Sequence, residues 1–298
     1  MSWVLLSVIA SIFFALRYVI IKKYLSDVDT LLLAFSTRIF GVLYLLPFLF
    51  VFEVNNVSSI LFWKTIIITS VLTAAASIMQ LNAIKKYELS SSVPFLSFIP
   101  LFMIFTVYII FDEFPNKNAF IGIIFLSIGG IIINQDKPGS NKNLKSFLLK
   151  NFGSVLFFGV AIIFGITTTL DRLAINDANC GGFTYTFFWH LFSALLFSFI
   201  FLNFKKSRTY IKEFKQNITG FVLQGLFGIT AFLCQMMAVE FARKIEANVL
   251  YIKAITLLQL FISVLFGLFL FKEKNAIIKI IGSIIMLSGA LIVILYSK

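Results

Sequence analysis

The sequence predicts an all-α membrane protein with ten transmembrane helices, arranged as two inverted five-helix repeats. Three observations lead there: a composition too apolar for water, ten apolar runs of about membrane-spanning length, and a residue pattern that recurs later in the chain. Of 298 residues, 60% are hydrophobic and 13% charged, and the mean hydropathy is +0.99. Soluble domains carry about 25% charged and about 45–50% apolar residues, so the surface must face lipid. Disorder is excluded because it requires low hydrophobicity. Cys180 and Cys234 are too few for a disulfide framework and read as free thiols.

A helix needs about 20 apolar residues to cross the hydrocarbon core. The ten runs are 3–21, 30–52, 61–83, 91–111, 118–134, 152–172, 182–203, 217–240, 247–271 and 274–296. The first has no basic segment ahead of it and ends in Arg17, Lys22 and Lys23, unlike a cleaved signal peptide. The runs are continuous, without the alternation of a membrane barrel. The one sizeable polar stretch, Gln135 to Lys150, falls at the midpoint. It reads as a linker, 135–150, between a first repeat, 1–134, and a second, 151–298. Lys205 to Lys215 reads as a second basic loop.

Self-comparison supports the division. At an offset of 160, Glu113 meets Glu273, Gly122 meets Gly282 and Gly129 meets Gly289. Gln80 meets Gln235 at an offset of 155, and Arg38 stands opposite His190 at 152. Three matches in the same order indicate a duplicated unit. A unit with an odd number of spans starts its second copy on the opposite side of the bilayer, the inverted arrangement in which secondary transporters bind substrate near the midplane.

Each half thus closes on a glutamate followed by glycines nine and sixteen residues on. With Ser90-Ser91-Ser92-Val93-Pro94, Pro100 and Glu113 in the fourth span, the chain resembles the EamA type of the drug/metabolite transporter superfamily over nearly its whole length. The second half departs from this pattern, with Leu250 and Thr256 where Pro94 and Pro100 would map. The resemblance implies ten spans and solute movement across a membrane, without naming the solute.

The net charge of +12 does not point to nucleic acid, because the bases sit in short gaps between apolar runs rather than on one wet face. Loops after odd-numbered spans carry Lys22, Lys23, Lys85, Lys86, Lys137, Lys142, Lys145, Lys150, Lys205, Lys206, Arg208, Lys212, Lys215, Lys272 and Lys274. The other side carries Lys64, Lys117, Arg172, Arg243, Lys244 and Lys298. The positive-inside rule therefore puts both termini outside, whereas the resemblance implies both in the cytoplasm. The expected setting is the inner (cell) membrane of a bacterium, as a monomer or homodimer.

An ionisable group near the bilayer centre costs roughly 2.5–3.5 kcal/mol on insertion scales, so it marks a partner, a cavity or a ligand. Arg38 lies roughly 12 Å into span two and shares a face with Ala34 and Gly41. It is a candidate for meeting an anionic substrate group, or a structural pair. His190, the only histidine, holds the matching place in span seven and is a candidate proton-coupling or ligand group, or a neutral histidine bonded to a neighbouring helix. Lys253 in span nine resembles the basic position that some members of the superfamily use against phosphate or carboxylate, or is a long stem that snorkels to the interface. Arg17, a turn from Lys22 among apolar neighbours, suits snorkelling as well as substrate contact. Gln80 and Gln235, with Asn248 and Tyr251, complete the substrate-binding candidates, although interhelical hydrogen bonding explains polar residues in spans equally well. Glu113 and Glu273 read as caps for the helices that follow them, and Pro94 and Pro100 as a kink in span four.

No metal site, cofactor or catalytic cluster is expected: one histidine makes no zinc site, and no GxxxxGK[ST] motif is present to bind ATP phosphates. The chain therefore reads as a secondary transporter rather than an enzyme, its partners a small-molecule solute and the lipid bilayer. Arg38, Lys253 and Arg17 favour an anionic or zwitterionic metabolite: an amino acid, an amino-acid derivative, or a nucleotide-like or phosphorylated compound. The alternatives are an exporter of hydrophobic or cationic compounds, which would want a buried carboxylate where Asp171 and Glu240 read as span ends, and a membrane-embedded lipid-modifying enzyme. A channel fits less well, because its pore is usually built by symmetry around an axis that an inverted repeat does not supply.

Overall fold

The computed structural model describes residues 3–133, 152–202, 207–243, 248–273 and 276–296. The expected linker, 135–150, lies outside them. Among the described residues every regular element is a helix. Eight helical segments are long and apolar enough to cross a membrane, and Lys117–Ile133 is a shorter apolar helix. Gly182–Leu202, where the seventh span is expected, is helical over 21 residues. Large apolar side chains such as Ile109, Phe199 and Ile277 are more than 70% exposed, as a surface solvated by lipid requires.

The first half runs α1 (Trp3–Tyr24), α2 (Thr30–Leu45), α3 (Ile60–Lys86), α4 (Leu89–Ser92), α5 (Ile99–Phe111) and α6 (Lys117–Ile133). Asp29 starts α2 by accepting from the Leu31 and Leu32 amides at 2.8 and 3.4 Å, which satisfies donors that no helical carbonyl reaches. Pro47 ends the α-helical part of α2, and Leu46–Phe50 continues as a 3₁₀ turn. Span four is split as its prolines require: a 3₁₀ segment, Val93–Phe98, separates α4 from α5, with Pro94 and Pro100 near the starts of the two new segments.

The second half runs α7 (Phe152–Arg172), α8 (Gly182–Leu202), α9 (Ser207–Gln216), α10 (Ile218–Arg243), α11 (Val249–Thr256), α12 (Leu258–Leu270) and α13 (Ala276–Leu295). Within the stretch read as a basic loop, Ser207–Gln216 is instead helical. It seats Tyr210 in the interior, and Glu213 accepts from the Asp29 amide at 3.0 Å. The end of α7 is also later than expected. Leu173–Asp177 adds a π-helical turn, so the span extends to Asp177 and Asp171 stands inside it.

The packing pairs each half with the other. α1 lies on α10 and α3 on α7; α2 lies on α8 and α6 on α13; α1 touches α12 and α5 touches α7. Exchanging the two halves maps each of these pairs onto another of them or onto itself. The glycines expected from the repeat explain the α6–α13 crossing. A Cβ on Gly122 would stand 2.7 Å from the Gly289 carbonyl oxygen, and one on Gly129 would stand 2.6 Å from that of Gly282. Lipid tails are as apolar as the helix surfaces, so close packing of small residues drives such contacts.

Among the described residues, neither junction glutamate caps the helix that follows it. Glu273 reaches across to the first half, where it accepts from the Leu89 and Ser90 amides at 2.9 and 3.0 Å and from the Ser90 hydroxyl. It pairs with Lys22 at 3.5 Å and with Lys279 at 3.7 Å. Glu113 forms a bidentate pair with Arg172 at 2.5 and 2.7 Å, while Asn116 caps the start of α6 at the Ala119 amide, 2.8 Å. The reason is geometric: each glutamate lies where the opposite half's helix end approaches, and a charge pair there outbids a local cap. Lys22 closes α1 and Arg172 closes α7, so the Lys22–Glu273 and Arg172–Glu113 pairs occupy matching places in the two halves.

Candidate substrate cavity

The helices that line the interior each present a narrow polar stripe. Phe14, Arg17 and Tyr18 on α1 follow a three- and four-residue spacing, as do Phe164, Thr167, Thr168 and Asp171 on α7 and Thr73, Ser77 and Gln80 on α3. Residues so spaced share one helical face. Those faces, with Arg38 on α2, Trp189 on α8, Phe232 and Gln235 on α10, Lys253 on α11 and Gln259 on α12, line a cavity of about 80 Å³. Both halves contribute to it.

Arg38 is 7% exposed. One terminal nitrogen donates to the Ser77 hydroxyl at 2.7 Å, and the guanidinium carbon sits 4.3 Å over the Trp189 ring, itself stacked on Phe232 at 4.5 Å. Its Nε has no hydrogen-bond partner among the described residues, and neither does that of Arg17. Arg17 does not reach outward as snorkelling would require. It is 9% exposed and lies against Gly228, where a Cβ would come within 3.1 Å of its side chain. A glycine facing it lets the guanidinium remain inside.

Lys253 is buried, with its ammonium 5.5 Å from the Phe164 ring and, among the described residues, no carboxylate within 4.0 Å. Gln80 donates to the Tyr18 hydroxyl at 3.0 Å, while Oε1 of Gln235 has no partner. The interior therefore brings together five of the eight sequence candidates: Arg17, Arg38, Gln80, Gln235 and Lys253.

The other three stand outside the lining and have structural partners. His190 Nδ1 is 2.9 Å from the Thr186 carbonyl, and its ring fills the space beside Gly41, where a Cβ would meet it at 2.2 Å. Asn248 caps α11 through the Leu250 amide at 2.9 Å. The Tyr251 hydroxyl accepts from the Asn116 amide at 3.3 Å.

Asp171 is the residue that sequence reasoning misplaced. It is 6% exposed, lines the cavity, and its Oδ1 accepts from the Tyr185 hydroxyl at 2.5 Å. Tyr185 is in turn 3.0 Å from the Thr69 hydroxyl. Gln259, with an unpartnered Oε1, was also passed over. The spacing of Phe164, Thr167, Thr168 and Asp171 carried a readable signal, because it matches that of Phe14, Arg17, Tyr18 and Ile21 on α1.

The fold is thus a bundle of apolar helices around a cavity lined by charged, polar and aromatic side chains. The profile of the EamA-like transporter family matches residues 1–135 and 151–295. The chain belongs to this family, within the drug/metabolite transporter superfamily, and is a multi-pass membrane protein of a family that transports small molecules. A solved structure described only as "Crystal structure of protein" shares the fold, with a TM-score of 0.71 at 12% identity over 99% of this chain and 97% of the other. No curated protein matches the chain.

Proposed function

We propose that the chain crosses the membrane ten times as two inverted five-helix repeats, 1–134 and 151–298 joined by 135–150, and moves a small anionic or zwitterionic organic solute by alternating access. The observation that carries the solute class is the charge of the cavity. Arg17, Arg38 and Lys253 face it against one carboxylate, Asp171. Buried cations with unfilled donors fit a carboxylate or phosphate group, which guanidinium groups bind through paired hydrogen bonds. The inverted repeat is supported by the exchange symmetry of the helix contacts and by a family match that falls in two blocks.

In inverted repeats, the ends of α1 and α7 lie on opposite faces of the membrane. Lys22–Glu273 and Arg172–Glu113 would then each join the halves at one face, and each would part when its own face opens. Asp171 gives the alternative, export of a cationic compound, one supporting residue, but three cations in the same space oppose it.

The test is a thermal-shift screen of the purified protein against amino acids, nucleotides, phosphorylated metabolites and organic cations, followed by counterflow in proteoliposomes with the best ligand. An acid-bearing compound is expected to stabilise the protein and to exchange labelled for unlabelled solute. Stabilisation by cations alone would overturn the reading.

A further inference from the structure

The cavity carries acceptors as well as cations, and an anion alone leaves them unsatisfied. Asp171 is buried with one hydrogen bond among the described residues, from Tyr185, although an ionised carboxylate has about four acceptor sites. Two further acceptors, Oε1 of Gln235 and Oε1 of Gln259, belong to residues 3% and 4% exposed and have no partner among the described residues. All three groups line the same cavity. The cations do not meet this need from within. Arg38 has Arg17 as its charged neighbour. Lys253, the charged neighbour of Asp171, makes no ion pair with it within 4.0 Å among the described residues. A solute with only negative charge would close the cavity over a desolvated carboxylate and would also be repelled by it, and burying an unpaired charge is costly.

We propose that Asp171 selects solutes bearing a protonated amine in addition to an acid group. The inference rests on the cavity being the solute site. An ammonium offers three donors and a positive charge, enough to meet the Asp171 carboxylate and one or both glutamine oxygens. The acid group then takes the vacant donors of Arg17 and Arg38. Two chemically different ends of one substrate thus find two different sets of protein groups, and a hydroxyl or hydrogen in place of the amine leaves Asp171 unpaired. Sites built to hydrogen-bond a polar group reject analogues that lack it.

The experiment compares matched pairs that differ only at the amine: an α-amino acid with its α-hydroxy analogue, and an aminoalkyl phosphate with the corresponding alkyl phosphate. Binding is measured by titration calorimetry or thermal shift on the wild-type protein and on Asp171→Asn. In the wild type, the amine-bearing member of the bound pair should be favoured by about tenfold or more, the ratio that loss of one charge-assisted hydrogen bond produces. In Asp171→Asn that preference should collapse to within about threefold, while the amine-free member binds as well or better because the repelling charge is gone. Binding of the acids with no amine preference in the wild type would overturn the role of Asp171 and leave the anionic-solute reading standing. An unchanged preference in Asp171→Asn would do the same. Failure of every acid to bind, with and without the amine, would overturn both. The wild-type comparison decides the question even if the variant does not fold.

Discussion

Arg38→Ala is expected to weaken solute binding by about 10- to 100-fold without lowering the melting temperature of the protein in detergent. The loss follows from the geometry: the guanidinium faces the cavity with an unfilled Nε, and a hydrogen bond between charged groups contributes about 1.5–3 kcal/mol. The unchanged stability follows from what Arg38 does in the empty protein. It is buried beside Arg17 with, among the described residues, one hydrogen bond, to Ser77, and a stacking contact on Trp189, little return for a desolvated charge. A residue kept for structure would behave in the opposite way, with the melting temperature falling and residual binding intact. Arg38→Lys keeps the charge without the planar fork and should recover only part of the affinity. Calorimetric titration and thermal unfolding on the same preparations separate the two cases.

Gly122→Val should have the largest effect on the fold. Its Cβ would stand 2.7 Å from the Gly289 carbonyl and 2.8 Å from the Val293 side chain, so α6 and α13 must separate. Overpacking costs about 1–3 kcal/mol and sometimes more, and here the obstructing atom is backbone, which cannot swing aside. Gly129→Val meets the Gly282 carbonyl in the same way and should act alike. Gly159→Ala is the control, because its new Cβ would meet only the Met79 thioether end, at 2.5 Å, which can turn away. Melting temperature and monodispersity in detergent should fall for the first two variants and hold for the third.

These residues also show what was legible in the sequence. The glycines were legible because a repeat places them at equal offsets, and the structure turns the offset into a crossing where Gly122 faces Gly289 and Gly129 faces Gly282. Arg38 and Lys253 were legible because a charge deep in an apolar run has few explanations. Arg17 looked like a snorkelling side chain because a single helix shows its own neighbours and conceals Gly228 on another. Asp171 was hidden by an end effect: polar residues follow it directly, and only the added π turn after Arg172 keeps it inside the span. His190, Asn248 and Tyr251 were attractive as polar groups in apolar surroundings, yet each meets a backbone partner, local for His190 and Asn248 and in the other half for Tyr251, a contact that composition and spacing do not reveal. Arg172, the partner of Glu113, and Lys22, Leu89 and Ser90, which meet Glu273, lie in the opposite half of the chain, beyond the reach of local capping rules.

The central claim is that one cavity between the two halves opens to each face of the membrane in turn. It is tested most directly by placing a cysteine at Thr168, on the cavity wall, with Cys180 and Cys234 replaced by serine, and reconstituting the protein in sealed vesicles of known orientation. A membrane-impermeant maleimide is then added to one side or the other. The account predicts labelling from both sides, slowed on both by a bound solute. Labelling from one side only, at every solute concentration tried, would contradict it.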